Sequence, residues 1–165
     1  MGRSFQRTNI FPRLTVYENI QAAYLSHRGR GWNLFERVER LYIDETEAIL
    51  RAVGLLDRAG EESGFLSHGG QKQLELGIAL ALEPEILLLD EPTAGMSPEE
   101  TQRMTRMLEA LPRDVTLLII EHDMDVVGSL ADRVTVLHYG EVLTEGTFAQ
   151  VKADPRVYEV YLGSA

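Results

Sequence analysis

The stretch Ile86-Leu87-Leu88-Leu89-Asp90-Glu91 is a short, continuous apolar run that ends in two carboxylates. It follows Pro84, which stops the helical pattern before it. Apolar runs of this length are typical of strands in a parallel sheet, where neighbouring layers cover both faces. We therefore expect a strand here that is buried on both faces.

The C-terminal half continues with a helix, a second strand and a hairpin. Ser97-Pro98-Glu99-Glu100 combines an N-cap serine, a proline in the first turn and a capping-box glutamate, which together predict a helix start. Residues 115–120 are a second apolar run, so strand, helix and strand predict a right-handed crossover in a parallel sheet. Residues 133–137 and 141–144 flank Tyr139-Gly140 and predict a hairpin at the sheet edge. The fold class indicated is α/β.

The N-terminal half has a helical pattern. From residue 12 to about residue 56, apolar side chains recur at three- and four-residue steps. Two helices joined by a loop at Arg28-Gly29-Arg30-Gly31 fit this pattern, because glycine and charge favour a loop. A third helix is expected after Gly70, ending before Pro84.

The composition excludes several classes of function. The formal net charge of −10 repels nucleic-acid phosphates, so direct DNA or RNA binding is not expected. The chain has no cysteine, which rules out disulfides, thiolate metal sites and cysteine nucleophiles. No apolar run approaches the roughly 20 residues that cross a bilayer, and the first residues lack a signal-peptide core. If the protein serves a membrane, we expect it to do so from the cytoplasmic side.

Polar side chains follow both predicted strands at their carboxyl ends, where ligands of parallel sheets gather. An apolar strand closed by Asp90 and Glu91 is the Walker B arrangement, in which Asp90 would hold Mg²⁺ through water and Glu91 would polarise an attacking water. His122 follows the second strand, and a neutral imidazole there could hydrogen-bond a terminal phosphate. The alternatives are a strand end that only faces solvent and a histidine that is structural or merely exposed.

Two further segments offer ligands for a nucleotide. Leu66-Ser67-His68-Gly69-Gly70-Gln71 precedes a predicted helix, so its hydroxyl and backbone amides could meet an anion at the positive helix end. Gln6 follows a possible strand end at Arg3-Ser4-Phe5, and its neutral amide could reach a metal ion or a water bound to it. The alternative for the first segment is an ordinary N-cap loop, and Gln6 taken alone indicates nothing.

The order of these segments along the chain resembles that of ABC-type ATPases. Gln6, Ser67, Asp90-Glu91 and His122 succeed one another like the Q-loop, signature motif, Walker B motif and switch histidine of that family, with residues 94–97 in the place of the D-loop. The segments at residues 3–19 and 139–163 look like the subgroup that imports branched-chain amino acids. The resemblance spans nearly the whole chain.

The resemblance implies binding roles for six residues. Those that would bind ATP or its metal ion are Gln6, Ser67, Gly69, Gly70, Asp90 and Ser97. Gln6 and Asp90 would be the Mg²⁺ ligands, largely through water. Ser67 and Gly69 would contact the γ-phosphate of an ATP that is bound in the opposite protomer.

Catalysis by such a protein would take place in a dimer. Glu91 would be the general base, and His122 would be the switch that senses the γ-phosphate. The fold implied is α/β: a partial P-loop NTPase (RecA-like) parallel sheet with the ABC helical subdomain, without the N-terminal strands and the P-loop. Residues 1–16 would be the Q-loop region, 17–83 the helical subdomain with the signature motif, and 84–165 the RecA-like core and C-terminal tail.

The function implied is that of the ATP-hydrolysing subunit that powers an ABC importer of branched-chain amino acids or related small solutes. Its partners would be transmembrane permease subunits, a second ATP-binding subunit in a homo- or heterodimer and, indirectly, a periplasmic or extracellular solute-binding protein. It would lie on the cytoplasmic face of the cell membrane as a peripheral subunit, with no nucleic-acid partner.

Two features depart from the family pattern. His68 stands where the signature motif usually has glycine, and Gly70 stands where it commonly has glutamine or glutamate. The sequence also contains no G-x-x-x-x-G-K-[S/T] stretch, and neither Lys72 nor Lys152 has the neighbours that such a loop requires. We therefore expect an N-terminally truncated ABC domain that is marginally stable and inactive in isolation.

Two other functions fit parts of this pattern. A non-catalytic module could complete the ATP site of a partner, which agrees with the missing phosphate loop but gives Glu91 and His122 no chemical task. A soluble ABC ATPase of DNA repair or translation is the other alternative, and the acidic charge argues against it. The apolar loop Ile10-Phe11-Pro12 fits better with docking onto a helix of a membrane partner, although ordinary core packing would also explain it.

Overall fold

A computed structural model of the chain describes residues 2–3, 10–28 and 42–162. The chain divides into two compact units, Met1–Ile120 and Glu121–Ala165, which are described separately. The subdomain limits expected from the sequence at residues 16 and 83 stay predictions. In the described residues, no helix has both the length and the apolar character that crossing a membrane requires.

Three α-helices precede the strand Ile86–Asp90 in the first unit, two of them in the stretch where the sequence pattern predicted two helices. They are α1 (Val16–His27), α2 (Ile43–Ala52) and α3 (His68–Leu80), and each packs against the other two. α1 starts at a capping box, in which the Thr15 hydroxyl accepts the Glu18 amide and the Glu18 carboxylate accepts the Thr15 amide. Of the predicted joint at residues 28–31, only Arg28 is described, as the C-cap of α1, and the other three residues lie outside the described part.

The start of α3 differs from the prediction. The helix begins at His68, so Gly69 and Gly70 lie in its first turn, whereas the sequence pattern placed the start after Gly70. The Ser67 hydroxyl accepts the Gly70 N–H with an N–O distance of 3.2 Å. Because the first amides of a helix have no acceptor within the helix, this cap stabilises a first turn that contains two glycines. The helix ends at Leu80, before Pro84, as predicted.

The three helices enclose a common apolar core. Ile20, Leu50 and Leu74 have no exposed surface. A glycine lets the helices approach closely, because a Cβ atom at Gly77 on α3 would lie 2.8 Å from Ile20 Cδ1 and 3.3 Å from Ile49 Cγ2. Close packing of this kind leaves little room for added volume.

A buried amide side chain joins α1 to the loops around it. Asn19 is 1% exposed, and its Oδ1 accepts the Phe11 N–H at an N–O distance of 2.8 Å. Its Nδ2 lies 2.9 Å from the Thr15 carbonyl oxygen and 3.1 Å from the Ser63 hydroxyl oxygen. Ser63 in turn donates to the Phe11 carbonyl oxygen over 2.9 Å. Asn19 is therefore a buried polar group with its hydrogen bonds satisfied, as burial requires.

A parallel sheet follows the helices in the same unit. Its strands are β1 (Gly2–Arg3), β2 (Ile86–Asp90) and β3 (Thr116–Ile120), with β2 between the other two. α4 (Pro98–Glu109) connects β2 to β3. The predicted strand, helix and strand are therefore confirmed, and the helix begins at the proline after Ser97 as the capping box indicated. Asp90 and Ile120 are paired residues at the carboxyl ends of β2 and β3.

The prediction that β2 is buried on both faces is wrong. Leu87 and Leu89 are 0% and 6% exposed, but Ile86, which points to the other face, is 39% exposed. On β3, Leu118 and Ile120 are 60% and 62% exposed. An apolar run shows that a strand can be buried, but whether a second layer covers its other face depends on elements elsewhere in the chain.

The second unit contains helices and a hairpin. In chain order, its elements are α5 (Met124–Leu130), β4 (Val134–His138), β5 (Glu141–Gly146), α6 (Phe148–Lys152), α7 (Pro155–Val157) and a π-helical turn (Tyr158–Leu162). The hairpin is confirmed, and its turn has positive φ at Tyr139 (48°) and Gly140 (84°). Its predicted place at the sheet edge is wrong, because β4 and β5 form a two-stranded antiparallel sheet of their own.

Candidate functional site

The two acidic residues at the end of β2 lie at the carboxyl edge of the parallel sheet, as expected. The Glu91 N–H donates to the Ile120 carbonyl oxygen over 2.9 Å, which extends the pairing between β2 and β3 by one residue. Glu91 has a φ of 46°, in the left-handed region that costs a non-glycine residue about 1 kcal/mol. Asp90 is exposed and Glu91 is half-buried. Strained backbone of this kind is concentrated at functional sites in proteins.

The segment after these carboxylates is a compact double turn. The Ala94 N–H donates to the Glu91 carbonyl oxygen over 3.1 Å, and the Met96 N–H donates to the Thr93 carbonyl oxygen over 3.2 Å. Gly95 has a φ of 75°, which a glycine adopts without steric cost. Ser97 then caps α4. Residues 91–97 therefore connect the end of β2 directly to the start of α4.

Ser67 contacts the start of α4 as well as its own helix. Its hydroxyl donates to Glu100 Oε1 over 3.3 Å, in addition to accepting the Gly70 N–H. Gly69 and Gly70 are buried, and a Cβ atom at Gly69 would overlap the Glu100 carboxylate. A side chain at position 69 would therefore require the Glu100 carboxylate to move.

A second contact joins the same two segments. Nε2 of His68 lies 3.3 Å from the carbonyl oxygen of Ala94, and in the tautomer that has its hydrogen on Nε2 it donates to this carbonyl. A Cβ atom at Gly95 would lie 3.4 Å from the same ring nitrogen. The structure thus brings residues 67–70 against residues 94–100 on one side of the first unit.

Glu100 is a functional candidate that the sequence pattern did not reveal. The sequence identified Glu100 only as the capping-box residue of α4, and its contact with Ser67 spans 33 positions of the chain. Hydrogen bonds with Ser97 lower the pKa of Glu100, the one from its backbone amide most and the one with its side chain less, because they favour the ionised carboxylate. The carboxylate is therefore charged at neutral pH.

His122 belongs to the second unit, two positions after the end of β3 in the chain. Its backbone N–H donates to Oε2 of Glu121 over 3.0 Å, and its ring Nδ1 lies 3.9 Å from the same oxygen. The His122 side chain is 73% exposed, while the Glu121 carboxylate is buried. The expected place of His122 beside Asp90 and Glu91 stays a prediction, and Gln6 lies outside the described residues.

The donor chemistry at the end of β2 fits a magnesium ion that is shared with a phosphate group. Mg²⁺ is bound by oxygen ligands and commonly uses one or two carboxylates together with substrate phosphates and water. Asp90 is an exposed carboxylate in this position. In the parts of the chain that the structure describes, no three His, Asp or Glu side chains form a group that could hold a metal ion.

Similarity to known proteins identifies the family. Residues 1–94 match the ABC transporter family, and residues 141–165 match the family described as branched-chain amino acid ATP-binding cassette transporter. The two family matches therefore lie in both the N-terminal and the C-terminal parts of the chain, as the sequence motifs do.

Individual relatives agree with these matches. The chain is 34% identical over 172 residues to the high-affinity branched-chain amino acid transport ATP-binding protein LivG of Escherichia coli K12, covering 99% of this chain and 68% of LivG. It is 35% identical over 174 residues to the corresponding protein BraF of Pseudomonas aeruginosa, again covering 99% of this chain and 68% of the relative.

The fold has solved counterparts. A nucleotide-free ATP-binding cassette from an ABC transporter superposes with a TM-score of 0.76 and 28% identity, covering 97% of this chain and 67% of that structure. The expected α/β fold of an ABC cassette is confirmed by this likeness together with the parallel sheet and the helices described above. The chain belongs to the ABC transporter family of ATP-binding proteins.

Proposed function

We propose that this protein is an ATP-hydrolysing subunit that drives import of branched-chain amino acids or related small solutes. The names of LivG and BraF and the family match at residues 141–165 support this class of solute. The choice among such solutes would belong to the binding protein and the permease, because ATP-binding subunits act on the nucleotide.

The observation that carries the proposal is the contact between the start of α3 and the segment that follows Asp90 and Glu91. Ser67 and Glu100 are hydrogen-bonded, and His68 contacts Ala94. These contacts hold residues 67–70 next to residues 94–100. In this proposal, both segments face an ATP that is bound by a second subunit. Hydroxyl and amide donors at the positive end of a 13-residue helix suit a phosphate.

We assign the binding roles as follows. Ser67, Gly69 and Gly70 contact the γ-phosphate in the partner's site, and Ser97 lies in the D-loop beside it. Close approach of the phosphate to the backbone at positions 69 and 70 requires the absence of side chains there. Both positions are glycine, and both lie in the first turn of α3.

We assign the chemical roles to residues at and after the strand ends. Glu91 acts as the general base that takes a proton from the attacking water, and His122 senses the γ-phosphate. Gln6 and Asp90 are proposed to hold Mg²⁺, largely through water. The ion supplies positive charge that stabilises the phosphoryl oxygens.

The proposed partners are a second ATP-binding subunit and transmembrane permease subunits, with a periplasmic or extracellular solute-binding protein acting indirectly and no nucleic acid. We place the protein on the cytoplasmic face of the cell membrane. Phe11 is 60% exposed in the loop before α1, which supports docking of this loop onto a helix of a membrane partner.

We further propose that the 165-residue chain alone does not hydrolyse ATP, because its sequence contains no G-x-x-x-x-G-K-[S/T] loop to bind the β- and γ-phosphates.

The role of Ser67 can be tested by adding the chain to full-length LivG. The LivG concentration is chosen so that dimer formation limits ATP turnover. We expect added chain to raise ATP turnover and the Ser67→Arg variant to abolish this increase. Ser129→Arg, at an exposed serine of α5, is the matched control and should behave like the wild type. An equal increase with Ser67→Arg would contradict the assignment of Ser67.

A chimera tests whether the chain also carries out the chemistry. It would carry, before residue 1, the LivG segment that contains the phosphate-binding loop. We expect ATP turnover that falls roughly 100-fold or more with Glu91→Gln, as removal of a general base does. Glu99→Gln, at an exposed carboxylate in the first turn of α4, is the control. If the chimera is inactive while the wild-type chain stimulates LivG, the protein is a module that completes a partner's ATP site.

A further inference from the structure

The Ser67 hydroxyl makes two hydrogen bonds within its own chain. It accepts the Gly70 N–H at 3.2 Å and donates to Glu100 Oε1 over 3.3 Å. A hydroxyl has one hydrogen to donate. The hydrogen that Ser67 would give to a phosphate is therefore already given to Glu100.

Glu100 is also hydrogen-bonded to Ser97, the last residue of the D-loop. Its second oxygen, Oε2, accepts the Ser97 backbone N–H over 3.0 Å, and the Ser97 hydroxyl accepts the Glu100 N–H over 3.3 Å. One carboxylate thus links the first residue before α3 to the first residue before α4. If this carboxylate moves, one hydrogen bond at each helix start changes.

An anion that approaches Ser67 meets this carboxylate. Glu100 is ionised, since hydrogen bonds from Ser97 lower its pKa, and it lies against the backbone of Gly69. Because a phosphate and a carboxylate both carry negative charge, they repel each other. When a phosphate takes the Ser67 hydrogen, the bond between Ser67 and Glu100 is lost.

We propose that Glu100 is a positioning residue, which holds the Ser67 hydrogen in the resting chain and passes the loss of this bond to Ser97. This inference rests on the proposed function, in which Ser67 contacts the γ-phosphate of a partner's ATP. The contact between His68 and Ala94 is a second, separate link, so the two segments stay together while Glu100 moves. The D-loop thereby responds to the nucleotide that the signature segment binds.

The first test uses backbone amide resonances of the ¹⁵N-labelled chain without any partner. Ser67→Ala removes the hydroxyl, and we expect the Ser97 amide to shift, because its acceptor Glu100 relaxes. Ser67→Gly repeats the test with an N-cap residue that costs only a few tenths of a kcal/mol in helix stability. Ser129→Ala, which removes an exposed serine that bonds within α5, should leave Ser97 unchanged. An unchanged Ser97 amide in both Ser67 variants would overturn the inference.

The second test separates this inference from the proposed function. ATP-loaded LivG is titrated into the labelled chain, and we expect the Ser67 and Ser97 amides to shift together. Glu100→Gln keeps an oxygen acceptor for Ser97 but removes the charge, so half-maximal shift should need on the order of fivefold less LivG. Glu99→Gln is the charge-matched control and should titrate like the wild type.

The possible results of the titration have distinct meanings. A Ser67 amide that does not move contradicts the proposed function, while the Ser67 variants without partner still decide the role of Glu100. A Ser67 amide that moves while Ser97 stays fixed contradicts the inference alone. The inference is also contradicted if Glu100→Gln reaches its half-maximal shift at the same LivG concentration as the wild type or at a higher one. A residue that only caps α4 would give no gain in affinity when its charge is removed.

Discussion

The helices and the parallel sheet of the first unit bury their apolar side chains to very different extents. Ile20, Leu50 and Leu74 on α1, α2 and α3 have no exposed surface, whereas Leu118 and Ile120 on β3 are 60% and 62% exposed. The three helices therefore complete a core within the described chain. The sheet has one covered face and one apolar face in contact with solvent, which is the character of an interaction surface or of a site prone to aggregation.

The largest expected effect contrasts the same substitution in the two regions. Leu50→Ala removes a side chain with no exposed surface and should lower the free energy of unfolding by about 2–5 kcal/mol. Leu118→Ala removes a side chain that is mostly in water and should cost less than about 1 kcal/mol. Urea denaturation followed by circular dichroism measures both. Equal losses would show that the two regions do not differ as described.

A somewhat smaller effect is expected for the buried amide of the helical region. Asn19→Ala leaves the Phe11 N–H and the Ser63 hydroxyl without their buried partner, which should cost about 2–3 kcal/mol in unfolding free energy. Gln102→Ala, at an exposed amide on α4, is the matched control and should change stability by less than about 0.5 kcal/mol. An unfolding free energy of Asn19→Ala that equals that of Gln102→Ala within error would contradict this expectation.

Added volume should also distinguish a close helix contact from an open loop. Gly77→Val places atoms within 3 Å of Ile20 and should destabilise the chain by about 1–3 kcal/mol. Gly60→Val is the control, because a Cβ atom there has no neighbouring atom within 4 Å. Thermal unfolding measures both variants. If Gly77→Val and Gly60→Val unfold at the same temperature, α1 and α3 are not closely packed at Gly77.

The smallest change in stability is expected on the exposed sheet face. Ile120→Thr should alter the unfolding free energy by less than about 0.5 kcal/mol, because the replaced side chain is 62% exposed. The same substitution should reduce self-association, which light scattering measures, because it removes apolar surface. Thr116→Val, at an exposed position of the same strand, serves as the opposite change and should increase association. Unaltered scattering in both variants would mean that this face does not drive association.

Local patterns in the sequence predicted most elements of the fold. Ser97, Pro98 and Glu100 are close together in the chain, so the start of α4 could be predicted from them. The start of α3 could not be predicted in this way, because two consecutive glycines are typical of a loop. Only the structure shows that the Ser67 hydroxyl caps the helix by accepting the Gly70 N–H. The pattern that predicted β2 contains no information on which layers cover its second face.

The candidate site was predicted in part. Asp90 and Glu91 lie at the carboxyl edge of the sheet because the strand pattern determines where β2 ends. The contacts of Glu100 with Ser67 and of His68 with Ala94 depend on how α3 and α4 are placed, and the residues involved are 33 and 26 positions apart. Their assigned roles toward ATP remain predictions.

Calorimetric titration of the 165-residue chain with a non-hydrolysable ATP analogue and Mg²⁺ tests the central claim most directly. The claim is that the chain carries residues that act on ATP but needs a phosphate-binding loop from elsewhere. We expect no measurable binding heat for the chain alone and clear binding for the chimera that contains the LivG loop. Tight binding by the chain alone would contradict the account, because it would require a phosphate site that differs from the P-loop.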